Sequence, residues 1–227
     1  AGPKIAAKVK RLDQDADVTI VEKGRVLSYA GCGLPYYISG LVSEQRELVS
    51  TPEGVLRGPE YFERVKAVRV MNRTEAIQID RENRRILVRD LISDEQRWLP
   101  YDKLAIATGA VPIVPSIPGV HLENIYTLHG LEHAEGIKAH VAERRAKDVT
   151  IVGGGLIGVE MAESLVAAGC RVTLVEMLPQ LLPNILDQEM ADLLRHHFET
   201  KGVRVLLNTR VTGFEGDGRV ERVLTSD

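Results

Sequence analysis

Residues 148–177, DVTIVGGGLIGVEMAESLVAAGCRVTLVEM, restrict this chain more than any other stretch. A β-branched run from Val149 to Val152 leads into Gly153, Gly155 and Gly158, spaced as GxGxxG. Leu156, Val159, Ala162, Leu165 and Val166 then recur on the period of a helix. A turn at Cys170 precedes a second apolar run, Arg171 to Val175. Strand, glycine turn, helix and strand in that order predict one βαβ unit of an α/β sheet, and that context makes the glycine spacing specific.

Each glycine has a separate physical task in such a unit. Gly153 permits the tight turn, Gly155 lets the backbone approach a pyrophosphate, and Gly158 lets helix and strand pack closely. The helix start supplies amide donors and partial positive charge to an anion. The second strand ends at Glu176, 18 residues after Gly158, where a carboxylate can accept hydrogen bonds from a ribose diol. Met177 and Leu178 offer no cation for a 2′-phosphate, so the expected ligand is NADH, with NADPH disfavoured. A glycine turn serving packing alone is the weaker reading.

The start of the chain repeats part of this pattern. GPKIAAKVKRLDQDADVTIVE, residues 2–22, lies over residues 158–176 as helix, turn, strand and terminal glutamate, with 20 residues from Gly2 to Glu22. Pro3 suits a first helical turn. Ile5, Ala6, Val9 and Leu12 predict an apolar helix face, and Val18 to Val21 the following strand. If Gly2 is the third glycine of a second fingerprint, Glu22 is the ribose ligand of a second dinucleotide. The strand and two glycines that should precede it are then missing, and the chain reads as truncated. An ordinary strand-end glutamate competes with that reading of Glu22.

Composition narrows the function class. The chain is 44% hydrophobic and 27% charged, with a net charge of −3 and both signs mixed along its length. That balance offers no basic face for nucleic acid and no polybasic membrane anchor, so a small-molecule substrate is expected. No run reaches the roughly 18 apolar residues of a membrane span, and AGPKIAAKVKRLDQ lacks the apolar core of a signal peptide. The two cysteines, Cys32 and Cys170, form no CxxC, which argues against a disulfide framework or a zinc site and for a reducing cytoplasm.

Between the two units, VRVMN, AIQID, RILVRDL and RWLP predict short strands, with a hairpin turn at Asp80 to Asn83. YDKLAIATGAVPIVPSIPG predicts a buried strand, Leu104 to Ala107, ending at Thr108-Gly109. Pro112, Pro115 and Pro118 then mark a domain boundary.

One stretch stands apart: SYAGCGLPYYISG, residues 28–40. A lone cysteine is ordinarily a small buried hydrophobe, which suits Cys170. Around Cys32, Gly31 and Gly33 allow close backbone approach, and Pro35 suits the first turn of a helix whose N-terminus lies near the sulfur. Helix-terminal amides favour the thiolate, the form that attacks disulfides.

In order along the chain, Glu22, SYAGCGLPYY, YDKLAIATGAVP, GGGLIGVEMAE and LVEM resemble the FAD-dependent pyridine nucleotide-disulfide oxidoreductases, in their single-cysteine branch. CGLPYYISG is most similar to the coenzyme A-disulfide reductases and NADH-dependent persulfide reductases; NADH oxidases and peroxidases are close relatives. The resemblance implies an α/β fold of FAD/NAD(P)-binding, Rossmann-like three-layer domains with parallel central sheets and a β-meander, here incomplete. It implies a partial FAD-binding domain over 1–112 and a C-terminally incomplete NAD(H)-binding domain over 113–227. It also implies FAD as a second cofactor and a homodimer at full length. Gly31 departs from the pattern, standing where many relatives carry a polar residue.

For the site, the resemblance places Cys32 beside the flavin as the catalytic residue. With no second cysteine nearby, chemistry passes through a mixed disulfide, persulfide or sulfenate. Electrons run from NADH through FAD to a small-molecule disulfide, persulfide or polysulfide. Thr108 and Gly109 are expected near the flavin, with a plain strand-to-loop stop as the alternative. Ser28 is a flavin or substrate contact, and Tyr36 and Tyr37 line the thiol pocket or serve as packing. Glu160 faces the nicotinamide or solvent. His129, His133, His196 and His197 lack metal-ligand spacing, so no metal is expected. Two further readings stay open: an NADH oxidase or peroxidase cycling a Cys32 sulfenate, and a dinucleotide-binding module without turnover.

Overall fold

In the computed structural model, which describes residues 1–143 and 147–226, the chain forms two compact units. Ala1–Ala30 and Arg46–Ala110 make the first; Gly31–Gln45 and Val111–Asp227 make the second. The thiol-bearing segment therefore groups with the second unit.

In the first unit, α1 (Gly2–Leu12) carries a proline in its first turn and runs into β1 (Thr19–Val21). Parallel pairing sets Thr19 opposite Arg69 in β2 (Arg69–Met71), after α4 (Pro59–Lys66). Ala6, Ile20, Leu27, Phe62 and Val68 make the core where α1 and α4 meet this pair. Each fully buried side chain of the larger kind contributes roughly 1.5–3 kcal/mol. The sheet is only two strands wide, so α1 is covered along a narrow stripe. Ala6 is buried, whereas Ile5, Val9 and Leu12, expected on its apolar face, are exposed.

An antiparallel meander follows: β3 (Thr74–Asp80), β4 (Arg85–Asp90) and β5 (Gln96–Pro100). The hairpin at Asp80–Asn83 forms where its turn residues predict it, with the Asn83 amide donating to Asp80 Oδ1 at 3.1 Å. Leu104 to Ala107 departs from expectation. No strand forms there, and Leu104 and Ile106 are exposed. A strand requires a hydrogen-bonded neighbour, and among the described residues none pairs with this segment.

In the second unit, β6 (Asp148–Val152), β7 (Arg171–Val175) and β8 (Arg204–Leu206) are parallel, with β7 central. Val172, Leu174 and Val175 of β7 are buried, as its central place requires. The register puts Val152 opposite Val175, so the turn after β6 and the residue after β7 emerge at one end of the sheet. The crossover α6 (Leu156–Ala167) buries Met161, Ala162, Ser164 and Leu165. α7 (Gln188–Thr200) is capped by Asp187, whose carboxylate accepts the Met190 amide at 2.9 Å, and packs against β8. The hairpin β9 (Val211–Glu215) and β10 (Arg222–Thr225) follows. Two helices complete the surroundings of the site. α2 (Leu34–Ser39) packs against both α6 and α5 (Leu131–Ala142). A short helix, α3 (Gln45–Leu48), follows α2.

Candidate dinucleotide and thiol sites

The three fingerprint glycines meet three different surroundings. Gly153 has a φ of 109°, a region closed to ordinary side chains, and its amide donates to the Val175 carbonyl at 2.8 Å. A Cβ added at Gly158 would lie 2.0 Å from the Gly153 carbonyl oxygen, so helix and turn touch there. At Gly155 a Cβ would meet nothing within 4 Å. That glycine is the N-cap of α6 and offers no side-chain cap, which keeps the first helical amides available to an anion. A turn, an open face and a close approach thus fall on the glycines expected for each.

Glu176 is drawn into this loop more fully than its sequence position suggested. Only 7% exposed, it accepts the Gly154 amide at Oε2 (2.6 Å) and the Leu178 amide at Oε1 (2.8 Å). Each carboxylate oxygen can accept a second hydrogen bond, so capacity for a ribose hydroxyl remains. Gly154, passed over by the fingerprint spacing, belongs to the site as well. Its carbonyl accepts the Leu182 amide at 2.9 Å, and a Cβ there would sit 2.7 Å from Leu181 Cδ2. The fully buried Leu181 and its neighbour thereby brace the loop from below. Three consecutive glycines were the available signal for Gly154; nothing local marked Leu181. Met177 and Leu178 are exposed beside Glu176. Glu160 lies on α6 with its side chain exposed.

An uncapped helix start, an open glycine face and a carboxylate at the adjoining strand end fit an adenine dinucleotide pyrophosphate and ribose. The first unit repeats part of this arrangement. α1 starts at Gly2 with no side-chain cap, and β1, on which it packs, brings Glu22 to the end where that helix begins. Glu22 is half-buried; its Oε1 accepts the Gly24 amide at 2.7 Å, and its second oxygen keeps capacity for a hydroxyl. Ala107 passes Gly2, with its Cβ 3.7 Å from where a Gly2 Cβ would stand. Thr108 and Gly109 follow it, both exposed, Gly109 with a φ of 75°. Ser28, half-buried, lies in the loop after β1.

Cys32 is exposed, in a 3-10 turn over Gly31–Gly33 that runs directly into α2, with Pro35 in the first turn. Leu34, Pro35, Tyr37 and Ile38 are buried on that short helix. The two tyrosines divide: Tyr36 is exposed and Tyr37 buried. Burial, followed by the negative charge of Glu135, pushes the Tyr37 hydroxyl above its usual value. Lys138 of α5 stands 3.6 Å from the Tyr37 ring centroid. Cys170 is buried, and burial pushes its thiol up. The chain's accessible nucleophilic sulfur is therefore Cys32.

The histidines lie elsewhere. His129 and His133 have ring centroids 6.5 Å apart, and His196 and His197 are exposed on α7. Among the described residues, no group of three or more His, Cys, Asp or Glu is placed to hold a metal, and no helix is long and apolar enough to cross a membrane.

This geometry has counterparts in known proteins. The family model described as pyridine nucleotide-disulphide oxidoreductase matches residues 1–227. A CoA-dependent NAD(P)H sulfur oxidoreductase of Pyrococcus abyssi is 35% identical over 225 residues, covering 99% of this chain and 48% of the relative. An NADH oxidase of Methanocaldococcus jannaschii is 30% identical over 223 residues, covering 98% and 48%. The solved NAD-dependent persulfide reductase of A. fulgidus superposes with a TM-score of 0.93 at 36% identity, covering 99% of this chain and 41% of that one. The chain thus spans about half the length of the curated relatives it matches. On the family match across its whole length, with the α/β units and glycine loop described above, the chain belongs to the pyridine nucleotide-disulphide oxidoreductase family.

Proposed function

We propose that this chain carries the cofactor-handling part of an NADH-dependent flavoenzyme that reduces a small sulfur compound, a disulfide, persulfide or polysulfide such as coenzyme A disulfide, at Cys32. One observation carries the reading: the exposed Cys32 heads a helix that packs against α6, the helix opened by the glycine loop. Relatives named as sulfur oxidoreductases and persulfide reductases support it.

In this reading Gly153, Gly155 and Gly158 hold the NADH pyrophosphate over the start of α6, and Glu176 meets the ribose while bracing the loop. Exposed Met177 and Leu178 supply no cation for a 2′-phosphate, which favours NADH over NADPH. Gly2 and Glu22 hold the adenosine half of FAD, with Ser28, Thr108 and Gly109 as its further contacts; Glu160 borders the nicotinamide. When bound by these residues, FAD would supply a two-electron relay between the nicotinamide and the sulfur.

Cys32 does the rest as a thiolate. Attack on the S–S bond of the substrate forms a mixed disulfide and expels one thiolate. Two electrons then cleave the Cys32 mixed disulfide, returning the Cys32 thiolate and releasing the second thiolate. Buried Cys170 takes no part. The reading includes a homodimer working in the reducing cytoplasm, where a lone thiol stays available between turnovers.

The test is an anaerobic NADH titration of the flavin-loaded protein, followed by addition of coenzyme A disulfide. A flavin spectrum bleached by NADH and restored by the disulfide, except in Cys32→Ser, is the expected result. Restoration only by oxygen or peroxide would transfer the assignment to an NADH oxidase or peroxidase using a Cys32 sulfenate. A protein that never takes up flavin would leave a binding module without turnover.

A further inference from the structure

Cys32 sits in a turn continuous with α2, and α2 has only six residues, Leu34–Ser39. A helix that short has no stability of its own, so the packing around it sets where it lies. It ends at Gly40 in the left-handed region, and the chain bends at 41–42 on its way to Ser43. One polar fastening comes from α5. Lys138 places its ammonium 3.6 Å from the centroid of the buried Tyr37 ring and donates to the Ser43 carbonyl at 3.1 Å. One cation thus ties both the body and the exit loop of α2 to α5, whose buried Leu131 and Ala134 share the Lys138 face at helical spacing. A cation over a buried ring is stronger than one at an exposed site, because the ring face is shielded from water.

We propose that Lys138 and Tyr37 form a positioning pair that holds Cys32 in its working place. The pair acts through α2, which packs against both α5 and the glycine-loop helix α6. What the held thiol does rests on the sulfur-reduction reading above. Where it is held does not.

The test measures the rate of Cys32 alkylation by iodoacetamide in the flavin-loaded protein, in a Cys170→Ser background, alongside the rate of flavin reduction by NADH. Lys138→Met and Tyr37→Leu are expected to slow alkylation about fivefold or more, since each removes the ring–cation contact. Lys138→Arg and Tyr37→Phe keep a cation and a ring and should stay within about twofold of wild type. The Lys138→Met/Tyr37→Leu double variant should be no slower than the slower single one, as expected of residues acting as a unit. Flavin reduction by NADH should be unchanged in the Lys138 variants. Wild-type alkylation in Lys138→Met, additive slowing in the double variant, or equal slowing in Lys138→Arg would each overturn the proposal. Should Tyr37→Leu fail to fold, the Lys138→Met against Lys138→Arg comparison decides alone. Sulfur turnover persisting in Cys32→Ser would remove the functional reading yet leave these rates standing, so the two failures are distinguishable.

Discussion

The Glu176 carboxylate and the Gly154 amide, 22 residues apart in sequence, meet at 2.6 Å in a buried hydrogen bond. A residue expected to face a ribose therefore also shapes the glycine loop at the start of α6, the loop proposed to take the pyrophosphate. Glu176→Ala leaves the buried Gly154 amide without an acceptor, a loss of about 1–3 kcal/mol. NADH affinity should fall roughly ten- to a hundredfold, read by titration of the nicotinamide fluorescence. Glu176→Gln keeps one acceptor oxygen and should fall between the two. An alanine variant that binds NADH like wild type would dissociate the loop from the carboxylate.

Gly158→Ala tests the close approach of helix to turn. The new methyl would stand 2.0 Å from the Gly153 carbonyl oxygen, and that neighbour is backbone rather than a side chain able to swing aside. The turn must shift, at a cost of about 1–3 kcal/mol. A lowered thermal midpoint together with weakened NADH binding is the expected pair of results. Gly155→Ala, with nothing within 4 Å of the added methyl, should leave the midpoint near wild type while still weakening NADH binding.

The two cysteines should separate cleanly under native labelling. Cys32 is exposed, whereas Cys170 is buried and burial pushes its thiol up. Near pH ~8, iodoacetamide should modify Cys32 at least about tenfold faster than Cys170, with peptide mass spectrometry assigning the sites. Cys170 should become reactive only in denaturant. Equal labelling of both in the native state would contradict the burial of Cys170.

How much of this was legible in the residues follows from the kind of signal each feature carries. The βαβ unit at 148–176 was plain because glycine spacing, strand composition and the strand-end glutamate report one local arrangement. The helix start after Cys32, with Pro35 in its first turn, was legible for the same reason. The segment Leu104 to Ala107 was misread because apolar content predicts burial, while a strand also needs a partner that local sequence does not supply. The apolar face of α1 was overestimated on similar grounds: periodicity names a face, and the width of the sheet beneath decides how much is covered. Lys138 on Tyr37 and Leu181 under Gly154 were invisible, since each joins residues far apart through tertiary packing, and neither residue type is unusual where it stands.

The β3–β4 hairpin carries a pH dependence whose sign is set by Asp80. Its Oδ2 accepts from Asn83 Nδ2 at 2.8 Å and from Arg85 Nε at 2.9 Å, and Oδ1 accepts the Asn83 amide. The Asn83 side chain first, then the Asn83 amide and Arg85, draw the carboxyl from 3.8 down to about 2. Because the folded value is lower, the unfolded chain takes up the proton first as the pH falls. The contribution is present in full above about 3.8 and is lost as the pH falls through about 2. Asp80→Asn removes the titrating group. The stability advantage of wild type over this variant, from urea unfolding at a series of pH values, should therefore shrink between about pH 5 and about pH 2. Asn83→Ala, which deletes the largest cause of the shift, should move the decline to higher pH. An advantage that stays flat across this window would mean that the turn is held by its backbone geometry and not by the carboxylate.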